Sequence, residues 1–230
     1  MIIPASDRAL LFSFGETPSE AQRLQIQTLV HLLQKRKDLF LREIQPAYAS
    51  VLVTFDPLHT NLKTLATQLQ PIFSKAVKQS ANLRPLSSRH IEIPVCYQPP
   101  FAPDLDYVAN HAGLTIDEVI GLHSSAPYTV CFFGFMPGFS YWSGLPETLA
   151  VPRLASPRLK VPAGSVAIGG SQTGIYPRES PGGWRIIGRT PLTLFNPQKK
   201  SPCLLQLGDH VQLQPMSLRE FQGAGGTWES

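Results

Sequence analysis

The residues with chemistry to offer concentrate in one stretch of the chain. From Arg153 to Arg189 lie six basic side chains, Arg153, Arg158, Lys160, Arg178, Arg185 and Arg189, against a single acid, Glu179. A concave surface with that imbalance attracts an anion. The same stretch holds Gly169-Gly170-Ser171-Gln172-Thr173-Gly174 followed by Ile175-Tyr176-Pro177. There, backbone N–H groups in a turn and the side chains of Ser171, Gln172, Thr173 and Tyr176 suit carboxylate, amide or phosphate oxygens. The bland alternative is a wide hairpin between strands; the presence of Arg153, Lys160 and Arg189 weighs toward a ligand site. Glu179 has three open roles, general base, metal ligand or partner of Arg178 or Arg185, with an ion pair as the default. His123 closes a helix in Leu122-His123-Ser124-Ser125, just before the strand that leads into the glycine-rich segment, and is open between a catalytic and a structural role. His31, His59, His90, His111 and His210 read as satisfied or exposed. Phe135, Phe139, Tyr141, Trp142 and Trp184 read as core or pocket wall.

Several other chemistries are excluded by pattern. The glycine run lacks the lysine of a GxxxxGK[ST] phosphate loop. Neither a GxSxG elbow nor an HExxH pair occurs, and His111 and His123 lie on separate predicted helices. Cys96, Cys131 and Cys203 are odd in number, widely spaced and set among apolar residues, so no disulfide framework or CxxC metal site is expected. The net charge of +4 comes from dispersed basic residues, without an arginine-rich arm or a ribonucleoprotein signature, so nucleic acid is not an expected partner. No apolar run approaches the ~20 residues that span a bilayer, and the start of the chain lacks a basic region followed by a long apolar stretch. A cytoplasmic protein without a membrane partner is expected.

These side chains need a scaffold, and 230 residues with 43% hydrophobic content can bury a core in one large or two small domains. Apolar residues 9–14, a helical period over 19–37 opened by Pro18 and Ser19, strands over 41–46 and 50–55, a helix over 62–78 and a strand over 90–95 follow in turn. This β-α-β-β-α-β order is the split-βαβ, ferredoxin-like arrangement. A polar stretch over 79–89 separates it from the rest. Two short helices follow, over 104–111 and 116–124, the second opened by the capping box of Thr115 and Glu118. Strands are then predicted over 129–133, 164–168, 184–188, 192–195, 204–207 and 211–215, with a glycine-demanding hairpin turn at Gly208-Asp209 and a frayed end over 223–230. Short strands with Gly/Pro turns argue for a barrel or sandwich. From Pro137 to Pro191, both included, there are nine glycines and eight prolines, so the backbone there turns repeatedly and approaches something closely.

The ordered motifs carry a family resemblance. Ile91-Glu92-Ile93-Pro94-Val95, Gly134-Phe135-Met136-Pro137-Gly138-Phe139, Val161-Pro162-Ala163-Gly164-Ser165-Val166, Gln172-Thr173-Gly174-Ile175-Tyr176-Pro177, Ser180-Pro181-Gly182-Gly183-Trp184 and Ile187-Gly188-Arg189-Thr190-Pro191 are the motifs concerned. Together they make the chain similar to the family of KipI and of the B subunit of the ATP-dependent 5-oxoprolinase, a carboxyltransferase (allophanate hydrolase subunit 1) domain. The resemblance implies an α+β chain, with a small ferredoxin-like domain over residues 1–86 and a cyclophilin-like β-barrel over 87–230. Likeness to cyclophilin is one of fold, and prolyl isomerase activity does not follow from it. It also implies hydrolysis of 5-oxo-L-proline to L-glutamate with cleavage of ATP, a co-substrate of the complex whose binding to this chain is not expected. The C subunit of 5-oxoprolinase, a second carboxyltransferase half, and its LamB/YcsF-type A subunit are the implied partners. A KipI-like inhibitor of a sensor histidine kinase, or a component of a urea carboxylase or allophanate hydrolase system, are the alternatives. Departures sit at Gln98-Pro99-Pro100-Phe101-Ala102, Ser140-Tyr141-Trp142-Ser143 and Arg178. The expected catalytic set is His123, Glu179 and Arg189. The expected contacts to a small anionic substrate are Arg153, Lys160, Gln172, Thr173, Tyr176 and Trp184, with no metal.

Overall fold

The computed structural model describes residues 1–15, 19–79 and 89–227. The chain divides into two compact units, Met1–Ser88 and Arg89–Ser230. The helix-start signal at Pro18, the domain division at 86–87 and the last residues of the expected frayed end lie outside the described residues.

The first unit is built from β1 (Ile2–Ser6), β2 (Ala9–Ser13), α1 (Glu20–Gln34), β3 (Leu41–Pro46), β4 (Ser50–Phe55) and α2 (Leu62–Gln79). Ser19 caps α1, its hydroxyl accepting from the Gln22 N–H. The sheet runs β1-β2-β4-β3 with every neighbour antiparallel. Alternation along β4 buries Val51, Val53 and Phe55, which share a core with Leu29 and Leu33 of α1 and Leu65 and Leu69 of α2. One strand differs from the sequence pattern. Residues 90–95 do not join this sheet; its remaining edge is taken by β1, whose Pro4 an edge strand tolerates because its N–H side needs no partner.

The second unit begins with β5 (His90–Cys96), α3 (Leu105–Ala112) and α4 (Ile116–Ser125). The Thr115–Glu118 capping box forms as expected. Then follow β6 (Tyr128–Phe133), β7 (Ser140–Ser143), β8 (Arg158–Val161), β9 (Ser165–Gly169), β10 (Gln172–Ile175), β11 (Ser180–Gly182), β12 (Arg185–Arg189), β13 (His210–Met216) and α5 (Leu218–Gly223). Seven strands close a barrel in the order β10-β7-β6-β13-β5-β12-β9, while β8 and β11 pair as a separate ribbon. Only the β5–β13 contact is parallel. Closure removes the sheet edges and gives each strand an inward face. Ile93, Val95, Tyr128, Val130, Trp142, Val166, Ile168, Ile175, Ile187, Val211 and Leu213 fill the interior, drawn from all seven strands.

Residues 192–195 and 204–207 are not strands. Pro191, Pro197 and Pro202 deprive this segment of ladder donors, and it keeps a single bridge, Phe195 to Cys203, with the Leu204 N–H bonded to the Leu194 carbonyl at 2.9 Å. Gly208 has the positive φ its turn demands, 85°, but the turn leads from irregular chain into β13 rather than joining two strands. Residues 224–227 are held rather than frayed: the Ala224 and Gly226 N–H groups bond back to Glu220 and Phe221.

Gly169 ends β9 where a Cβ would stand 2.3 Å from Trp184 Cδ1. Gly169→Ala therefore forces the buried indole to move, and we expect a loss of about 1–3 kcal/mol, read as a lower urea midpoint with unchanged slope.

Candidate functional site

The barrel wall has a second, outer apolar layer over β9, β10 and β12. Ala167 and Ile186 point there, and Phe139, Val161, Tyr176 and Trp184 pack on them. Phe139 is the hub, with ring centroids 5.0 Å from Tyr141, 5.4 Å from Tyr176 and 5.5 Å from Trp184, all edge to face. Glycine makes the packing possible: a Cβ on Gly182 would lie 2.5 Å from the Tyr176 hydroxyl.

Above this layer opens a cavity of about 350 Å³. Its walls are the rings of Phe135, Phe139, Tyr141, Tyr176 and Trp184, with Arg153 at the rim and Pro157, Pro181 and Gly182 from the ribbon side. The Arg153 guanidinium lies 5.9 Å from the Trp184 ring centroid. Phe135 is the strained member. Its φ is 66°, and the Met136 N–H bonds to the Gly134 carbonyl at 2.7 Å, the i to i+2 closure of the costly γ-turn. That turn leaves Phe135 63% exposed, with its ring among those that wall the cavity. Burial pushes both the Tyr141 and Tyr176 phenols above their ordinary range, so both are neutral hydrogen-bonding groups.

Asp104, immediately before α3, ties together elements beside the cavity without lining it. Its Oδ2 accepts from the Ile186 N–H at 2.7 Å, and its Oδ1 meets Arg158 at 2.9 Å and Arg185 at 3.9 Å. The carboxylate is buried. Arg185 also lies over the Tyr107 ring, 3.5 Å from its centroid. Two of the six basic residues thus share one acid that lies far from them in sequence.

The structure brings Arg153, Tyr176 and Trp184 together and sets the other candidates elsewhere. Lys160 and Glu179 pair across the β8–β11 ribbon at 3.4 Å, with Lys160 well exposed. Gln172 begins β10, half-buried, after a two-residue turn, so the glycine run is a tight hairpin and not an open phosphate-binding loop. Arg189, at the end of β12, lines two other cavities. His123 and Thr173 are buried inside the barrel. The Thr173 hydroxyl donates to the Ala167 carbonyl at 3.0 Å, so it accepts from His123 Nε2–H at 3.1 Å, and the Tyr97 hydroxyl donates to His123 Nδ1 at 2.9 Å. Every polar group in that chain is satisfied by a neutral imidazole. Burial lowers the His123 pKa to about 3.

Phe135, Phe139 and Tyr141 carried the signal of a pocket wall in sequence. Asp104 carried none beyond its place before a helix, although an excess of arginine over acid in the basic stretch calls for a carboxylate from outside it. Among the described residues, no three His, Cys, Asp or Glu side chains gather into a metal-holding group, and no helix is long and apolar enough to cross a membrane.

Comparison with known proteins gives concordant results. The family model described as carboxyltransferase domain, subdomain C and D, matches residues 1–205. A protein named as the B subunit of 5-oxoprolinase from Escherichia coli O157:H7 is 54% identical over 138 residues, which is 60% of this chain and 63% of that protein. One of the same name from Bacillus subtilis is 37% identical over 227 residues, 94% of this chain and 92% of its own length. The K. lactis urea amidolyase structure superposes with a TM-score of 0.79 at 22% identity, covering 96% of this chain and 15% of that one, a likeness of fold.

Removing the buried carboxylate tests its place in this arrangement. Asp104→Ala strands two guanidiniums and the Ile186 N–H, and we expect a loss of about 2–4 kcal/mol, measured by urea unfolding. His123 stays neutral in the folded barrel down to about pH 3, whereas unfolded histidine takes a proton near 6.5. The unfolded state therefore binds the extra proton across that window, and its histidine term removes up to about 1.4 kcal/mol of stability per pH unit as pH falls below 6.5. Urea midpoints from pH 7.5 to 4.5 should show this acid limb, and His123→Gln should flatten it.

Proposed function

The chain belongs to the carboxyltransferase domain, subdomain C and D, family, and from that premise we propose that it is the B subunit of an ATP-dependent 5-oxoprolinase, acting with the A and C subunits to hydrolyse 5-oxo-L-proline to L-glutamate. The observation that carries this reading is the 37% identity to the Bacillus subtilis protein of that name over 227 residues, nearly the full length of both chains. In the same reading the small sheet is a ferredoxin-like split βαβ over residues 1–86 with its edge strand supplied from the N-terminus, and the barrel over 87–230 is cyclophilin-like. The protein works in the cytoplasm.

The aromatic cavity is the part of this chain suited to the substrate. A five-membered lactam is flat and presents its faces to Phe139, Tyr176 and Trp184, while its carboxylate suits the rim guanidinium of Arg153. Neutral phenols on Tyr141 and Tyr176 can donate to the lactam oxygen. The glycine run does not fit a triphosphate: it is a two-residue hairpin turn and the Thr173 hydroxyl beside it is buried and bonded. In this reading ATP is held by a partner in the complex. Among the described residues lining the cavity there is no Asp, Glu, His, Cys or Lys. The general base for attack on the lactam comes from elsewhere in the assembly, and this chain binds and orients.

The purified A and C subunits with ATP and 5-oxoproline should release glutamate only when this chain is added; a complete mixture no faster than those two without it ends the reading. Arg153→Ala should lower kcat/KM in that mixture by about tenfold to a hundredfold, the worth of one charge-assisted contact, without shifting the urea midpoint of the isolated chain.

A further inference from the structure

We infer that Arg189 anchors a second small-ligand site, which takes the carboxylate or phosphate group of a small anion in the cavity bounded by Gly164, Thr190, Thr193 and Gly225. Buried charges in proteins are paired, because leaving one unpaired in a poorly solvated site is costly. Arg23, Arg158 and Arg185, whose side chains are 9%, 30% and 14% exposed, all obey this rule with Glu20 or Asp104. Arg189 is 8% exposed and has no carboxylate partner among the described residues. Its Nε donates to the Ala163 carbonyl at 2.9 Å and its Nη1 to the Thr227 carbonyl at 3.2 Å. Those two bonds leave part of the guanidinium's donor fork unused. The guanidinium also stands over the Phe101 ring, 5.7 Å from its centroid. Two carbonyls and an aromatic ring thus hold the fork in place while supplying no negative charge.

Arg189 lines both cavities in this part of the barrel. One is about 230 Å³ and includes Thr190 and Thr193. The other, about 180 Å³, is walled by Pro100, Phe101, Pro103, Pro162 and Ile186. The first has hydroxyls and peptide groups for an oxyanion; the second is apolar and fits a small hydrocarbon body. These sizes suit a compact anion rather than a whole nucleotide. Burial without a compensating acid also holds the Arg189 pKa below its usual range.

The inference is independent of the 5-oxoprolinase reading, and its test needs no partner. Thermal unfolding of the isolated chain carrying Arg153→Ala, so that the aromatic cavity has lost its anion contact, is followed while inorganic phosphate or 5-oxo-L-proline is titrated against chloride at constant ionic strength. At least one probe should raise Tm saturably by a few degrees. The shift should vanish in Arg189→Gln, weaken tenfold or more in Thr193→Leu, which fills the cavity and leaves the guanidinium in place, and persist in Lys199→Gln, a surface-charge control. If Arg189→Gln does not fold, Thr193→Leu decides. The proposal is overturned if neither probe gives a saturable shift, if the shift survives both cavity variants, or if it emerges only in Glu229→Gln, which would make the chain's own acid the counter-ion. Response to phosphate alone or to 5-oxoproline alone identifies which oxyanion the site takes.

Discussion

A single buried carboxylate, Asp104, ties together the parts of the barrel that shape the aromatic cavity. It accepts from the backbone of β12 at Ile186 and draws Arg158 of β8 and Arg185 of β12 toward the start of α3. Asp104 is drawn into the interior by the N–H it satisfies, and the two guanidiniums come with it because an uncompensated buried anion is expensive. Arg158 carries β8, and β8 carries β11 through their pairing. Pro157, Pro181 and Gly182, which close one side of the cavity, ride on that ribbon. One residue that does not touch the cavity thus helps to hold the ribbon that closes one of its sides.

The other side of the cavity is fixed by packing. Trp184 lies against Gly169 and Tyr176 against Gly182, each at a distance that leaves no room for a side-chain carbon on the glycine. Edge-to-face contacts around Phe139 then restrict each ring to one orientation. The glycines of this segment are needed for close approach of rings to backbone as much as for turns. Phe135 reverses that logic: a bulky residue is kept at positive φ and its ring stays exposed, so stability is given up for presentation.

Much of the fold was legible because its signals are local. The capping residues Ser19 and Thr115, the alternation along β4 and the helical period of α1 each depend on neighbours within a few positions. The edge strand β1 and the transfer of β5 into the barrel were not legible, since pairing partners are chosen by closure of the whole sheet; β5 pairs with β13, its most distant barrel strand in sequence. The aromatic pocket wall was legible in composition, but the basic stretch misled as a group. Asp104 is shared by Arg158 and Arg185, and Glu179 pairs with Lys160, so the cationic field read from local counting is partly offset and broken into separate clusters. His123 was ambiguous for the same reason: only the fold reveals that both ring nitrogens are occupied by Tyr97 and Thr173.

What the cavity lacks bears on how such a protein works. Attack of water on a lactam needs a group that takes a proton at neutral pH, and the lining offers phenols pushed above their normal range and a guanidinium at the rim. Neither accepts a proton under those conditions. His123, the one imidazole open to a catalytic role in sequence, is sealed in the barrel with its pKa lowered to about 3 and both nitrogens engaged. Glu179 is held by Lys160 on the ribbon. In the proposed reading, this cavity binds a flat anion without a base among its described lining residues, and another surface of the assembly brings one to it. In the same reading, separation of binding from proton transfer onto different chains follows from which side chains the aromatic wall admits.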